Sequence, residues 1–210
     1  MSGPPGRRGR CAAPRAGLTA SRALVTRAAL RPGERVLDHG HRGHALAALQ
    51  IAVAMGAAVA VTSSDPAKIE RALELGAAGG ELYTQGGWAG RVRSRFAPRG
   101  FDVIVDSAGG EGFGELPARW PWAAGWRSFG VRAASGRPSC PVFLFYKQVS
   151  LLATTMGSPP SSRTGWRSVA EHGAASWWTP PSRWLRALGR SRPAAGSQFG
   201  KVVLKIQPAG

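Results

Sequence analysis

The sequence predicts an open α/β fold, a doubly wound parallel sheet with degraded segments in its second half, and three observations carry that expectation. Strand-like and helix-like segments alternate between residues 35 and 110. Two of the strand-like segments, AAVAVTSS and FDVIVDSAGG, lack polar alternation, as strands covered on both faces do. The segment joining the first two strands, ALAALQIAVAMGA, is apolar on nearly every side, which suits a helix packed against a sheet. Right-handed crossovers follow from that order.

Each element has its own local cause. Residues 1–16 mix Pro, Gly and Arg without periodicity and read as a disordered basic leader. Leu18, Leu24, Val25 and Leu30 space an apolar stripe along a helix that ends before Pro32 and Gly33. ERVLDHG opens as a short strand. In SSDPAKIERALELGA, Asp65 caps a helix, Pro66 suits its first position, Ile69, Ala72 and Leu73 form its inner stripe, and Gly76 ends it. ELYT follows as a brief strand, then a helix from Trp88 to Phe96, then FDVIVDSAGG with a glycine turn at its carboxyl end.

Beyond Gly114 the pattern weakens. LPARWPWAAGWRSFG sets prolines and tryptophans where a helix and strand should recur, and residues 158–196 keep no stable period. VFLFYKQVSLLATTMG restores a helix-like and then a strand-like pattern, and SQFGKVVLKI closes as a strand. One domain over residues 17–206 is expected, poorly patterned at 116–128 and 158–196, with 207–210 as a tail. The Arg, Pro, Ala, Gly, Ser and Trp content of the weak stretches is what a GC-rich coding sequence gives when read out of frame. Compensating shifts are therefore expected near codons 38 to 44, 116 to 128 and 160 to 196.

The formal net charge of +17 comes from the ends of the chain, because only Glu171 is acidic after Glu115 while arginines continue to Arg192. Arg163, Arg167, Arg183, Arg186, Arg190 and Arg192, interleaved with Trp166, Trp177, Trp178 and Trp184, could serve phosphate contact and base stacking. They show no periodicity, so a nucleic-acid partner is the lesser reading. Cys11 and Cys140 are too few for a disulfide framework, and no apolar run is long enough to span a bilayer. The reading is a cytoplasmic protein with no membrane partner.

Residues 37–46, LDHGHRGHAL, carry the sharpest local question. His39, His41 and His44 have spacings that can supply zinc ligands, but Arg42 inside the triplet opposes a cation. The alternative is a phosphate-cradling turn, in which glycine lets backbone amides approach an anion at a helix N-terminus. Asp38 also falls where a buried strand wants an apolar side chain.

The order of motifs resembles the nucleotide-binding half of the medium-chain dehydrogenase/reductase superfamily, in its quinone oxidoreductase and zinc-type alcohol dehydrogenase branches. AGLTASRALVTRAALRPGERVL, ALAALQIAVAMGA, TSSDPAKIERALELGA, FDVIVDSAGGEGF, KQVSLLATTMGS and FGKVVLKI carry the likeness. It implies a Rossmann-like sheet and binding of a nicotinamide dinucleotide. Gly40 and Gly43 stand in the family's phosphate turn, with His41, Arg42 and His44 at its small positions. Ser63 falls on the position where a carboxylate would bond the ribose of NAD, and Ser63, Ser64 and Lys68 together favour NADP, with NAD as the alternative. Capping by Ser64 and Asp65, with Lys68 a solvated charge, accounts for the same residues. Ser107, Ala108 and Gly109 resemble positions near the cofactor ribose and nicotinamide, and Gly130 and Gly157 close the next two strands.

Zinc-type members carry a cysteine ligand shortly before LTA, where Arg15 stands here, and Cys11 is at the wrong offset. No zinc ligand and no catalytic residue carry over. The resemblance implies a truncated NAD(P)H-dependent oxidoreductase, inactive if the missing half is required, whose intact relatives transfer hydride to a carbonyl, enone or quinone. It also implies a homodimer formed through this domain. A non-enzymatic nucleotide-binding or interaction module is the alternative.

Overall fold

Strand β1 (Arg35–His39) lies at the centre of a six-stranded parallel sheet in the order β3-β2-β1-β4-β5-β6. Its neighbours are β2 (Ala58–Ser63) and β4 (Val103–Asp106), paired from Val36 opposite Val59 and Val103 to His39 opposite Thr62 and Asp106. Outward from them run β3 (Gly79–Leu82) on one side, and β5 (Arg127–Phe129) and β6 (Ser150–Leu152) on the other. The computed structural model describes residues 17–40, 43–107, 127–129, 150–154, 178–182 and 201–204. Strands β7 (Trp178–Ser182) and β8 (Lys201–Leu204) pair in parallel as a second, two-stranded sheet.

Alternation along the strands divides the core between the two faces. Val36, Val59, Val61, Val103 and Val105 pack with Ala47, Ala48, Leu49, Ile51 and Ala52 of helix α1 (Gly43–Ala54) and with Ala23 and Leu24 of the leading helical segment. Their immediate neighbours Leu37, Ala60 and Ile104 point the other way, onto Trp88, Ala89 and Val92 of helix α3 (Trp88–Phe96) and onto Phe101. The run of alanines in α1 lets that helix lie close on the branched side chains of the sheet, which is why it needs no polar face.

Helix α2 (Pro66–Glu74) forms as its sequence dictates: the Asp65 side chain accepts from the Ala67 N–H at 3.0 Å and Pro66 occupies the first turn. Its inner face differs from the expected one. Leu73 is 44% exposed, and the buried line is Lys68 and Ala72, with Ile69 and Leu75 packed against the core. Lys68, expected to be solvated under the capping reading, is only 8% exposed. At one turn's spacing Lys68, Ala72 and Leu75 share a face that Leu73 does not.

Three further differences have local reasons. The strand expected at ELYT begins two residues earlier, at Gly79 and Gly80, because the hydrogen bond from Ala78 N–H to Val59 O starts the ladder there. The leading helix, α-helical over residues 17–21, continues as a π-helix over Arg22–Arg27, with Ala28 N–H reaching back to Ala23 O at 2.8 Å. A strand also forms at Trp178–Ser182, inside a stretch read as patternless, and its two prolines coincide with a register shift between Thr179 and Ser182. The weak stretch before Phe129 still contributes the three-residue β5.

Helix α3 is fastened to β3 through one carboxylate. Glu81, 8% exposed in its side chain, accepts from Arg91 Nε at 3.2 Å and from Arg95 Nη1 at 2.9 Å. The expected exit from α2 is also present: Gly76 has φ +96°, and a Cβ there would lie 2.9 Å from Val53 Cγ1. Gly76→Ala therefore lowers the unfolding free energy by about 1–2 kcal/mol. Gly86→Ala, at a position open to solvent with nothing within 4 Å, leaves it unchanged or slightly raised. Urea unfolding of the two variants checks the contrast.

Candidate functional site

The sheet changes direction between β1 and β4, and open α/β sheets bind ligands outside the carboxyl ends of their strands at such a point. Here the turns after β1 and β4 meet. Ser107 N–H donates to His39 O at 3.0 Å, and a Cβ added to Gly40 would overlap the Ser107 hydroxyl and lie 3.2 Å from Ala45 Cβ. Only glycine fits at Gly40 without displacing the turn that follows β4. The Ser107 hydroxyl oxygen is buried and has no hydrogen-bond partner among the described residues.

The structure brings some of the sequence-derived residues together and separates others. Gly40 and Ser107 meet at the switch point, and Gly43 opens α1. Ser63 ends β2, buried, and its hydroxyl accepts from Asp65 N–H at 3.1 Å, so Ser63 rather than Ser64 supports the turn into α2; Ser64 is exposed. Lys68 lies one turn into α2 on its inner face. Ala108, Gly109, Gly130 and Gly157 lie outside the described residues, as do His41 and Arg42.

The histidine cluster is divided by the fold. His39 is 3% exposed and points onto the α3 face, where its ring lies parallel to the Trp88 indole at a centroid distance of 5.1 Å and an interplanar angle of 7°. Tyr83 meets it edge-on at 5.6 Å, and His39 Nδ1 is 2.7 Å from Thr62 Oγ1. His44 is half-buried in the first turn of α1. Among the described residues no group of three His, Cys, Asp or Glu is arranged to hold a metal ion.

Sequence reading missed a polar row across four strands. Glu81 pairs with Thr62, Thr62 with His39, and His39 with Asp106. All four are buried, Asp106 completely. The available signal was positional: with a period of two, a polar residue at the carboxyl end of each strand falls on the same face as its neighbour.

Asp38 takes the opposite face, between Val61 and Val105, and its Oδ1 has no hydrogen-bond partner among the described residues. Burial, and then the nearby Asp106 carboxylate, hold its carboxyl well above the ordinary carboxylate range. The sequence expectation of a misplaced carboxylate in a buried strand is met.

A parallel sheet in this order, with Gly40 at the switch point, defines a Rossmann-like α/β domain. A family model described as zinc-binding dehydrogenase matches residues 43–171, and the chain belongs to that family, within the medium-chain dehydrogenase/reductase superfamily of oxidoreductases. It is 32% identical over 212 residues to the zinc-type alcohol dehydrogenase-like protein YogA of Leptosphaeria maculans, covering 93% of this chain and 57% of that protein. The crystal structure of an NAD-dependent alcohol dehydrogenase superposes with a TM-score of 0.79 at 30% identity, covering 93% of this chain and 58% of that one. A 96-residue stretch is 42% identical to part of the spectinabilin polyketide synthase system protein NorB of Streptomyces orinoci, 45% of this chain and 4% of that protein. The chain thus spans a little over half the length of the dehydrogenases it matches. Among the described residues no helix is long and apolar enough to cross a membrane.

The raised pKa of Asp38 fixes the sign of a pH effect. The folded state binds more protons than the unfolded chain between the ordinary carboxylate pKa and the raised one. The contribution of this group to stability therefore falls as pH rises through that window, and its full cost is present above it. Asp38→Asn removes the slope and is more stable than the parent by about 1–3 kcal/mol at neutral pH, with the gap closing in acid. Urea midpoints for both proteins across the acid-to-neutral range check it.

Proposed function

We propose that this chain is the nucleotide-binding half of a medium-chain oxidoreductase, that it holds a nicotinamide dinucleotide at the carboxyl edge of its sheet, and that it prefers NADP to NAD. The observation that carries the reading is the approach of Gly40 to Ser107 at the switch point. A glycine with no room for a side chain stands beside a buried hydroxyl with no hydrogen-bond partner among the described residues. That is the chemistry a pyrophosphate and ribose need at the opening of α1.

The residues present fit such a group. Gly40 and Gly43 would bring backbone amides to the pyrophosphate, and Ser107, with Ala108 and Gly109 after it, would line the ribose and nicotinamide side. Gly130 and Gly157 would leave open the ends of the next strands. The nicotinamide, when bound, supplies or accepts the hydride exchanged with a carbonyl, enone or quinone. The chain's own residues bind and orient it, and none of the described residues is assigned a catalytic role.

Preference for NADP is supported at the end of β2. Ser63 stands where a carboxylate would bond the ribose 2′-hydroxyl, and the nearest acid, Asp65, is engaged in capping α2. Lys68, on the inner face of the same helix, offers the cation that a 2′-phosphate requires.

Titration with NADPH and NADH, followed by nicotinamide fluorescence, tests both parts. Lys68→Ala is expected to weaken NADPH by about tenfold or more while leaving NADH unchanged, with thermal unfolding as the control for folding. Equal weakening of both ligands would overturn the NADP assignment, and binding of neither by the parent chain would overturn the dinucleotide reading.

A further inference from the structure

We infer that His39 is a positioning residue of the dinucleotide site, and that its protonation tightens the hold on an anionic dinucleotide; this rests on the reading above. His39 is the last residue of β1 and immediately precedes Gly40, and its carbonyl accepts the Ser107 N–H. Its backbone therefore joins both turns at the switch point. Its ring is held on three sides, by Thr62 Oγ1, the Trp88 indole and the edge of Tyr83.

The charged and titratable groups around it are identifiable among the described residues. On β4, Asp106 is its register partner. On β3, Glu81 lies at the far end of the polar row, already bonded by Arg91 and Arg95 of α3. Tyr83 follows β3, and His44 stands in the first turn of α1. On β1 itself Asp38 points to the opposite face, and burial favours its neutral form. Protonation of His39 would add a cation one residue before Gly40, in a buried setting where Coulomb attraction is screened far less than in water. By linkage, an anion that binds more tightly to the protonated protein must in turn raise the proton affinity of His39.

NADP+ is titrated calorimetrically into the full chain at about pH 6 and about pH 8, the range over which histidine changes charge. The ratio of affinities between parent and His39→Gln is expected to rise on the order of tenfold at the lower pH. Protonation of the ligand's own 2′-phosphate is common to both proteins and cancels in that ratio. A second readout needs no turnover. An imidazolium stacked on an indole quenches it, so the emission difference between the parent and Trp88→Phe should fall on acidification, with a midpoint that rises when NADP+ is present. Thr62→Val, which keeps the branched shape of its strand, should move that midpoint.

An affinity ratio independent of pH, or a midpoint that ignores NADP+, would overturn the role of His39 while leaving the dinucleotide reading intact. Failure of NADP+ to bind at either pH would overturn both.

Discussion

Parallel pairing of β1 between β2 and β4 is the constraint on which the rest of the structure depends. A central strand with helices on both sides has no solvent face, so each of its side chains must be accommodated inside the protein. From Val36 to Leu37 that condition is met by apolar packing, one residue into each half of the core. At Asp38 and His39 the same alternation delivers two ionisable groups to opposite faces, and the two faces receive them differently. His39 enters a face already polar at its carboxyl edge, where Thr62 bonds it and Trp88 covers its ring. Asp38 enters a face lined by valines, which can offer no hydrogen bond, and desolvation favours its neutral form.

The glycine turn is subject to the same geometry. Because β1 and β4 are in register from Val36 opposite Val103 to His39 opposite Asp106, the residues that follow them leave the sheet side by side. Gly40 and Ser107 are then forced together, whatever ligand the site serves. A turn with any side chain at Gly40 would have to displace the exit of β4, and with it the surface over which the proposed dinucleotide would lie. Register and the proposed site are therefore one constraint, set by strand pairing.

Much of the first half was legible in the sequence because its signals are local. The alanines of α1, the Asp65-Pro66 start of α2 and the unbroken apolar runs of β2 and β4 each specify an element without reference to its neighbours. The inner face of α2 was less legible: Leu73 is apolar but sits a third of a turn away from the line through Lys68, Ala72 and Leu75, and hydrophobicity alone chose the wrong residue. The place of His39 was illegible for a different reason. Reading LDHGHRGHAL as one loop groups His39 with His41 and His44, whereas strand pairing assigns His39 to the sheet and to residues more than twenty positions away. Gly40 and Gly43 stand out in the sequence because glycine at a strand-to-helix junction has few other uses, but the contact of Gly40 with Ser107 belongs to tertiary structure alone.

Asp38 connects stability with binding. An ionised carboxylate two residues before Gly40 would repel the ligand proposed for the turn that follows, and in a buried setting the repulsion would be weakly screened. The same desolvation that makes Asp38 a liability to the fold favours its neutral form, so an anion at the proposed site would meet little charge from Asp38. Asp106, by contrast, lies on the His39 face as the register partner of that residue. The two carboxyls thus lie on opposite faces of the sheet, and burial favours the neutral form of Asp38. Asp38 therefore ties the stability of the sheet and the charge beside the proposed turn to the same desolvation.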